Sequence, residues 1–362
     1  MENRKYNFDL LRILAAFAVI VIHVAGKYVD NILAGDWFGE PYTEHMLFTC
    51  LVNVTARFAV PIFIMLSGTF TLDNEKNGDF RAYYRKVFRH VGIPTLLFGL
   101  LYFLYSLVRQ GAFVLRNDGS WTSLFDVVWS ALRGEPFYHM WYLYMMITIY
   151  LLVPILVRLK RDIGEKAFTK AGIVFFIAAM LCLWTSSHVF RWDISYAFCF
   201  MGYFIMGYLI RKHVKEEKNI KPVLLILGGL LVYALTGYLR YLQALRGLAD
   251  SELPVSLLSQ GAPLPVLGTL LLFAGFAKLP FNKNISKLSS LTFEIYLFHA
   301  LFWDILSRFV TAEMDSRLVI VVMCVAVFLL SLLSAVIYRK LWAAIEKKWA
   351  ISDRLCRLIH LQ

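Results

Sequence analysis

Long uncharged apolar runs recur along the chain and dominate its pattern. Residues 91–108, 255–277 and 318–338 contain no charged residue over 18, 23 and 21 positions. A helix of about 20 apolar residues crosses the hydrocarbon core of a bilayer, whereas a transmembrane β-strand needs a polar–apolar alternation that these runs lack. The pattern therefore predicts an all-α, polytopic transmembrane helix bundle of about ten spans. The spans are expected near residues 8–26, 46–70, 91–109, 137–157, 169–187, 194–210, 222–242, 255–277, 291–310 and 318–338.

The distribution of basic residues predicts which ends of these spans face the cytoplasm. The chain is 59% hydrophobic and 17% charged, and its net charge is +12. Of its 37 lysines and arginines, 26 fall in segments on the same side as the N-terminus and 9 on the opposite side. Cytoplasmic loops of membrane proteins are enriched in basic residues, so both termini are predicted to be cytoplasmic. This placement accounts for the positive charge, and no nucleic-acid partner is expected.

The predicted spans make one transmembrane domain over residues 1–338. Residues 339–362 mix apolar and cationic side chains and predict an amphipathic helix on the cytoplasmic membrane face, where anionic lipid would favour it. The five cysteines are scattered and lack the spacing of a disulfide framework or a metal site. We therefore expect no metal site. From the predicted spans and the amphipathic segment we expect membrane lipid as a partner of the chain.

Six ionisable residues lie within the predicted spans, where each is costly unless it has a partner or a role. They are Arg12, His23, Arg57, His139, Glu294 and His299. Arg12 and His23 share one helix face at depths about 16.5 Å apart, because three helical turns take roughly 10.8 residues. Asp9 lies three residues before Arg12 and is placed to form a structural pair with it. The alternatives are that Arg12 reaches the interface as a span-end cation and that His23 is a structural histidine.

Arg57 lies too deep in the second predicted span to reach the membrane surface. Such an arginine should face an internal cavity and meet an anion or carbonyl oxygens. Asn53 lies one turn earlier on the same helix face and is a candidate supporting residue. The alternative is a structural ion pair between Arg57 and Glu294. Glu294 precedes His299 by five residues, so these two side chains point about 140° apart and do not form a dyad on one helix face.

Two further clusters flank the predicted spans. A basic cluster in the inner loop 71–90 fits a phosphate-binding patch. The alternative is that these basic residues only reflect the general enrichment of lysine and arginine in cytoplasmic loops. The members of this basic cluster are Arg85, Lys86 and Arg89. A second cluster, with aromatic residues, lies at the predicted outer start of the fourth span. Its members are His139, Trp141 and Tyr142.

Four segments, in chain order, resemble signatures of the acyltransferase-3 family of bacterial membrane proteins. They are Arg12 followed after ten residues by His23, Arg57-Phe-Ala-Val-Pro-Ile-Phe-Ile-Met-Leu-Ser-Gly68, His139-Met-Trp-Tyr-Leu, and Ile295-Tyr-Leu-Phe-His299. The resemblance covers essentially the whole chain. It departs from the family pattern at Lys86-Val-Phe-Arg89, where some members have Arg-x-x-Arg, and at Ala300, where many members have proline.

The resemblance implies an O-acetyltransferase of the bacterial cytoplasmic membrane. Such an enzyme moves an acyl group, usually acetyl, from cytoplasmic acyl-CoA to a hydroxyl of an extracytoplasmic glycan, lipid-linked sugar or glycoside of the cell envelope. Acyl-CoA is then a co-substrate, with no bound cofactor. By the same resemblance His23 is the catalytic histidine, acting as general base or as a transient acyl-histidine, and Arg12 contacts the acyl donor.

The remaining candidate residues divide between donor and acceptor. Donor binding is expected at Arg12, Arg57, Arg85, Lys86 and Arg89. Acceptor binding or support of the site is expected at Asn53, His139, Trp141, Tyr142, Glu294, Tyr296 and His299.

Two other functional classes compete, and the oligomeric state is left open. One is a transporter of a small solute such as an amino acid, although the chain shows no repeat halves or matched pair of broken helices. The other is a non-catalytic scaffold of a glycan-export system, which would not need His23.

Overall fold

The computed structural model describes residues 6–33, 43–117, 122–132, 136–185, 194–214, 220–246, 256–310 and 316–358. Within these ranges the regular structure is helical and no strand occurs. The helices are α1 (Tyr6–Leu33), α2 (Thr43–Ala56), α3 (Ala59–Thr71), α4 (Phe80–Val87), α5 (Ile93–Asn117), α6 (Thr122–Leu132), α7 (Trp141–Ile163), α8 (Glu165–Thr185), α9 (Ile194–Val214), α10 (Pro222–Leu245), α11 (Pro263–Lys278), α12 (Ser286–Ser289), α13 (Thr292–Leu306), α14 (Ser316–Trp349) and α15 (Ile351–Leu358).

The chain forms two compact units. The first comprises Met1–Asp73, Glu165–Arg191 and Phe198–Leu341, and the second comprises Asn74–Gly164, Trp192–Ala197 and Trp342–Gln362. Helices α4 to α7, α15 and the last turns of α14 therefore belong to the second unit. The other helices lie wholly or mainly in the first.

Helices α3 and α9 cross in opposite directions at two glycines of the first unit. A Cβ atom on Gly68 would lie 1.8 Å from the backbone oxygen of Phe204, and one on Gly207 would lie 2.1 Å from that of Met65. Thr69 Oγ1 donates a hydrogen bond of 2.8 Å to Gly207 O at the same crossing. Small residues let helix backbones approach this closely, so Gly68 determines how near α3 lies to α9.

Helices α1 and α13 run side by side in the same direction within the first unit. Arg12, near the start of α1, donates a hydrogen bond of 3.1 Å to Ser289 Oγ, just before α13. Lys27, near the end of α1, donates one of 2.9 Å to Ser307 O, just after α13. Two helices that cross a bilayer in the same direction must be separated by an odd number of spans. This parity agrees with their predicted places as the first and ninth spans.

A turn at Arg57 and Phe58 divides the predicted second span into α2 and α3. Pro61 explains the division, because it lacks a backbone N–H and its ring would clash with the carbonyl of Arg57 four residues earlier. Arg57 O instead accepts a hydrogen bond of 3.4 Å from Gln260 Nε2. Arg57 therefore lies at the break between two helices, and not inside a regular helix.

In the second unit, the predicted inner loop 71–90 contains a helix. Asp79 caps the start of α4, where its side chain accepts a hydrogen bond of 3.1 Å from the Ala82 backbone N–H. A π-helical turn over Phe88–Gly92 then leads into α5. No predicted span corresponds to α6.

The residues predicted to form one amphipathic helix, 339–362, are divided at Ala350. Helix α14 continues past residue 338 to Trp349, and Ala350 has a φ of 46°, which ends it. This left-handed conformation is common after helix C-termini but is disfavoured for a residue other than glycine. Both carboxylate oxygens of Glu346 accept from the Ser352 backbone N–H at 3.1 Å. Helix α15 follows this turn, and residues 359–362 lie outside the described residues.

Seven helical segments in the described part of the chain are long and apolar enough to cross a membrane. They are Tyr6–Tyr28, His45–Thr71, Phe80–Gly111, Trp141–Ile163, Glu165–Thr185, Pro222–Leu245 and Arg317–Trp349. Each overlaps one of the predicted spans. The other three predicted spans correspond to α9, α11 and α13. The uncharged part of α9 ends at Ile210, α11 begins only at Pro263, and α13 has 15 residues. The count of ten and the orientation of the termini stay predictions.

Apolar side chains are exposed at helical spacing on the outer faces of long helices. On α14 they are Leu318, Val322, Val325, Leu329 and Leu333. On α5 they are Leu96, Leu100, Leu104 and Val108. Exposed apolar surface of this extent is unusual for a protein in water, and a hydrocarbon environment suits it.

Candidate functional site

His23 of α1 and His299 of α13 stack on each other in the first unit. Their ring centroids are 5.3 Å apart and the ring planes are inclined by 28°. His299 is fully buried, and its Nδ1 lies 2.5 Å from Tyr296 O. A carbonyl oxygen only accepts, so Nδ1 carries a hydrogen and the neutral ring keeps its lone pair on Nε2. His23 is half-buried, so it is the more exposed residue of this pair.

Arg12 belongs to a separate polar group about three turns earlier on α1. Its Nη1 lies 3.2 Å from Asp9 Oδ1 and 3.1 Å from Ser289 Oγ, and Ser289 Oγ donates to Asp9 Oδ1 at 2.7 Å. The guanidinium also lies 5.8 Å from the centroid of the Phe70 ring. Asp9 is buried, whereas the Arg12 side chain is 29% exposed. The triangle of Asp9, Arg12 and Ser289 thus holds the guanidinium in place and leaves it partly accessible.

Asn53 joins Arg57 to the turn of α1 that carries His23. Asn53 Nδ2 donates to Ile22 O at 3.0 Å, and Asn53 Oδ1 accepts from Arg57 Nε at 3.2 Å. Asn53 is buried, whereas the two hydrogen bonds that it makes are partly buried. Because Gln260 holds the carbonyl of Arg57, this arginine is positioned through both its side chain and its backbone.

Glu294 is paired with Arg339 in the first unit. Glu294 Oε1 accepts from Arg339 Nε at 2.9 Å and from Nη2 at 2.5 Å, and Arg339 Nη1 donates to Ser290 Oγ at 2.7 Å. Arg57 Nε donates to Asn53 instead. The alternative of an Arg57–Glu294 ion pair is therefore wrong, and the structure gives Glu294 no part in orienting His299.

The basic cluster lies in the second unit. Arg85 and Lys86 lie in the last turn of α4, and Arg89 lies in the following π-helical turn. Arg85 Nη2 lies 3.3 Å from Asp353 Oδ1 of α15, and Arg89 Nη2 contacts the same oxygen. Lys86 is exposed. The structure thus brings Arg85 and Arg89 together around an acidic residue that the sequence did not single out.

His139 is enclosed by aromatic rings in the second unit. The Tyr102 ring lies 4.7 Å away edge-on, and the Phe137 ring lies 5.8 Å away. His139 is 1% exposed, so it supports this cluster from inside. Trp141 and Tyr142 lie in the first turn of α7 and are half-buried, so they are more exposed than His139.

A comparison with protein families matches residues 5–336 to acyltransferase family 3, whose model is described as an acyltransferase domain. The chain belongs to the acyltransferase-3 family. Searches of curated proteins and of solved structures found no match. Taken with the apolar helices, family membership makes this protein a multi-pass membrane acyltransferase. The match ends at residue 336, so α15 lies outside the matched residues.

Several residues around the polar groups of this acyltransferase-3 protein were not predicted from its sequence. Ser289 and Gln260 are uncharged and lie in segments without a motif. Pro61 was the available signal for Gln260, since a proline inside a predicted span frees a carbonyl that another group must satisfy. Arg240 of α10, to which the sequence assigned no role in the site, is buried, and its Nη1 lies 3.4 Å from Gln243 Oε1.

Proposed function

We propose that this acyltransferase moves an acetyl group from cytoplasmic acetyl-CoA to a hydroxyl of an extracytoplasmic glycan, lipid-linked sugar or glycoside. The enzyme lies in the bacterial cytoplasmic membrane with ten spans and both termini in the cytoplasm. Acetyl-CoA is a co-substrate, and surrounding lipid and the carbohydrate acceptor are its other partners. The observation that carries the proposal is the half-buried His23, stacked on a buried His299 whose tautomer is set by Tyr296 O.

In this mechanism His23 is the general base. It takes the proton of the acceptor hydroxyl as the hydroxyl oxygen attacks the thioester carbonyl carbon. The carbon–sulfur bond then breaks, and the CoA thiolate takes up the proton from the imidazolium. A transient acyl-histidine would use the same ring as nucleophile. His299 and Tyr296 are positioning residues, because they act on the substrate only through His23.

The arginines of the first unit stabilise charge in this reaction. Arg57 is the candidate for the thioester oxygen, which becomes negative as the acceptor attacks. Support comes from Asn53, which ties the Arg57 guanidinium to the backbone of Ile22, next to His23. Arg12 is assigned to polar parts of the donor, about 16.5 Å along α1 from His23.

The second unit contains further candidate binding residues. Arg85, Lys86 and Arg89 bind the phosphates of CoA, for which charge-assisted hydrogen bonds from guanidinium groups are well suited. Trp141 and Tyr142 contact the acceptor, since their rings present flat apolar faces to a sugar. His139 supports them from within its aromatic enclosure.

The test is acetyl transfer by the full-length protein in vesicles, with radiolabelled acetyl-CoA and cell-envelope glycan as acceptor. His23→Ala should lower transfer by about 10²–10⁴-fold, the usual contribution of a general acid–base residue. His213→Ala is the matched control, because His213 is an exposed histidine at the end of α9, and it should transfer at the normal rate. Unchanged transfer by His23→Ala at equal expression would refute the proposal. Solute uptake that needs His23 but no CoA would indicate a transporter.

A further inference from the structure

The C-terminal helix α15 is attached to the basic cluster by Asp353. Asp353 Oδ1 accepts from Arg85 Nη2 at 3.3 Å and also contacts Arg89 Nη2. We infer that α15 completes the phosphate site of the acyl donor and that Asp353 is its positioning residue. The inference rests on the proposed binding of CoA phosphates by Arg85, Lys86 and Arg89.

The two arginines need a bridging group to stay side by side. They are four residues apart, so their guanidinium groups share one face of the helical segment and repel each other. One carboxylate oxygen between them offsets that repulsion and fixes both side chains. The Nε atoms of both arginines are buried and have no acceptor among the described residues. Because these Nε atoms are buried, an anionic ligand would bind through the other N–H donors of the two guanidinium groups.

The cluster remains open to a ligand in solution. The side chains of Arg85, Arg89 and Asp353 are 42%, 30% and 45% exposed. A guanidinium carries five N–H donors in a fixed fork, and the contact with Asp353 occupies one Nη2 of each arginine. Phosphate oxygens can therefore bind from the exposed side while Asp353 holds the arginines from α15.

The charge of α15 argues against a competing role, in which this helix would occupy the phosphate site in place of the acyl donor. Asp353 is followed on the same helix by Arg354 and Arg357, both exposed, so α15 brings a net positive charge to the cluster. A helix that competed with an anion for Arg85 and Arg89 would be expected to carry net negative charge. Net positive charge instead strengthens attraction for a phosphate ester.

The position of α15 is well defined in the second unit. The left-handed residue Ala350 turns the chain, and Glu346 accepts from the Ser352 N–H immediately after the turn. Ser352 and Cys356, one turn apart, are both buried, so they define the packed face of α15. Asp353 therefore reaches the arginines from a packed helix with a fixed start.

The experiment measures KM and kcat of the full-length enzyme with two donors. These are acetyl-CoA and S-acetylpantetheine, which carries the same thioester but no phosphate. Asp353→Asn should raise KM for acetyl-CoA about tenfold, equivalent to about 1.4 kcal/mol, and leave kcat unchanged. It should have no effect with S-acetylpantetheine, and Asp353→Glu should recover part of the loss. Asp162→Asn is the control, because Asp162 is an exposed aspartate 3.3 Å from the neighbouring Arg161, and it should behave as the parent enzyme.

Each other result has a defined meaning. A lower KM in Asp353→Asn would show that Asp353 competes with the donor, and equal changes with both donors would show a structural role; either overturns the inference. The Arg85→Ala/Arg89→Ala double variant distinguishes failure of the proposed donor site from failure of the role inferred for α15. If it leaves KM for acetyl-CoA unchanged, the proposed donor site fails. If it raises KM whereas Asp353→Asn does not, only the role of α15 fails.

Anionic lipid headgroups offer the same phosphate chemistry and form the last arm of the test. The kinetics are repeated in vesicles of phosphatidylcholine alone and in vesicles containing phosphatidylglycerol. A donor site predicts the same Asp353→Asn effect in both. An Asp353→Asn effect that occurs only with phosphatidylglycerol would assign the cluster to lipid and overturn the inference.

Discussion

Gly68 offers the most direct test of the packing that supports the first unit. In Gly68→Ala, the new Cβ would lie 1.8 Å from Phe204 O, whereas real Cβ atoms essentially never come within 3.0 Å of another heavy atom. The obstructing atom is backbone, so a side chain cannot rotate away. Helices α3 and α9 must separate by more than 1 Å, which also stretches the hydrogen bond from Thr69 to Gly207.

The cost of this change can be bounded from known core substitutions. Overpacking usually destabilises a protein by about 1–3 kcal/mol, and a clash between two backbones should lie at the upper end. Alanine in a helix is also intrinsically favoured over glycine by about 0.8–1.0 kcal/mol, which offsets part of that loss. We expect a net loss of about 1–2 kcal/mol of folding stability, together with reduced yield of monodisperse protein.

The assay is thermal unfolding in detergent, followed by fluorescence-detected size-exclusion chromatography. Gly111→Ala is the matched control, because Gly111 is also a helical glycine but no atom lies within 4 Å of its added Cβ. That variant should be as stable as the parent or slightly more stable. Gly207→Ala should resemble Gly68→Ala, and the double variant should lose less than the sum, because the same helices separate in both. Equal melting temperatures for Gly68→Ala and Gly111→Ala would refute the close crossing of α3 and α9.

Three further predictions concern the contacts around the polar groups. Gln260→Leu removes the donor to the Arg57 carbonyl, so it should cost about 1–3 kcal/mol of stability and lower kcat for acetyl transfer; an unchanged kcat would separate Gln260 from the site. Glu294→Gln removes the ion pair with Arg339 and should lower the melting temperature slightly, with kcat at the parent value; a large loss of kcat would support the role of Glu294 in acceptor binding or site support that the sequence predicted. Ala350→Gly relieves a left-handed alanine and should raise stability by about 0.5–1 kcal/mol in thermal unfolding, whereas destabilisation would mean that α14 and α15 form one continuous helix.

The apolar pattern was sufficient to locate most long helices, because lipid exposure requires an apolar surface along a whole span. It was less informative about where helices begin. The uncharged run 255–277 contains a non-helical segment before Pro263, in which Ser259 Oγ accepts from the Gly261 N–H at 3.2 Å. Hydropathy cannot distinguish such a segment from a helix, since both lack charge. Helix α6 escaped prediction for the opposite reason, because its 11 residues are too few to span a bilayer.

Within the candidate site, contacts along one helix were predictable and contacts between helices were not. The pairing of Asp9 with Arg12 and of Asn53 with Arg57 follows from spacings of three and four residues. No spacing rule joins His23 to His299 or Arg85 to Asp353, because these pairs depend on how distant segments pack. The family resemblance identified His23 and His299 separately as members of two motifs. Their stacking is a property of the folded first unit.

The segment from Arg57 to Gly68 shows how local and tertiary causes combine in one motif. Pro61 breaks the helix and frees the Arg57 carbonyl, and Gly68 lets α3 approach α9 closely. Pro61 and Gly68 can be recognised in the sequence as a helix breaker and a small residue. The contacts that they permit are made with Gln260 and Phe204, more than a hundred residues later in the chain. The break directs Arg57 toward Asn53 and α1, and the glycine contact holds the other end of α3, where Phe70 lies beneath Arg12. One short segment therefore carries Arg57 at its start and contacts Arg12 near its end.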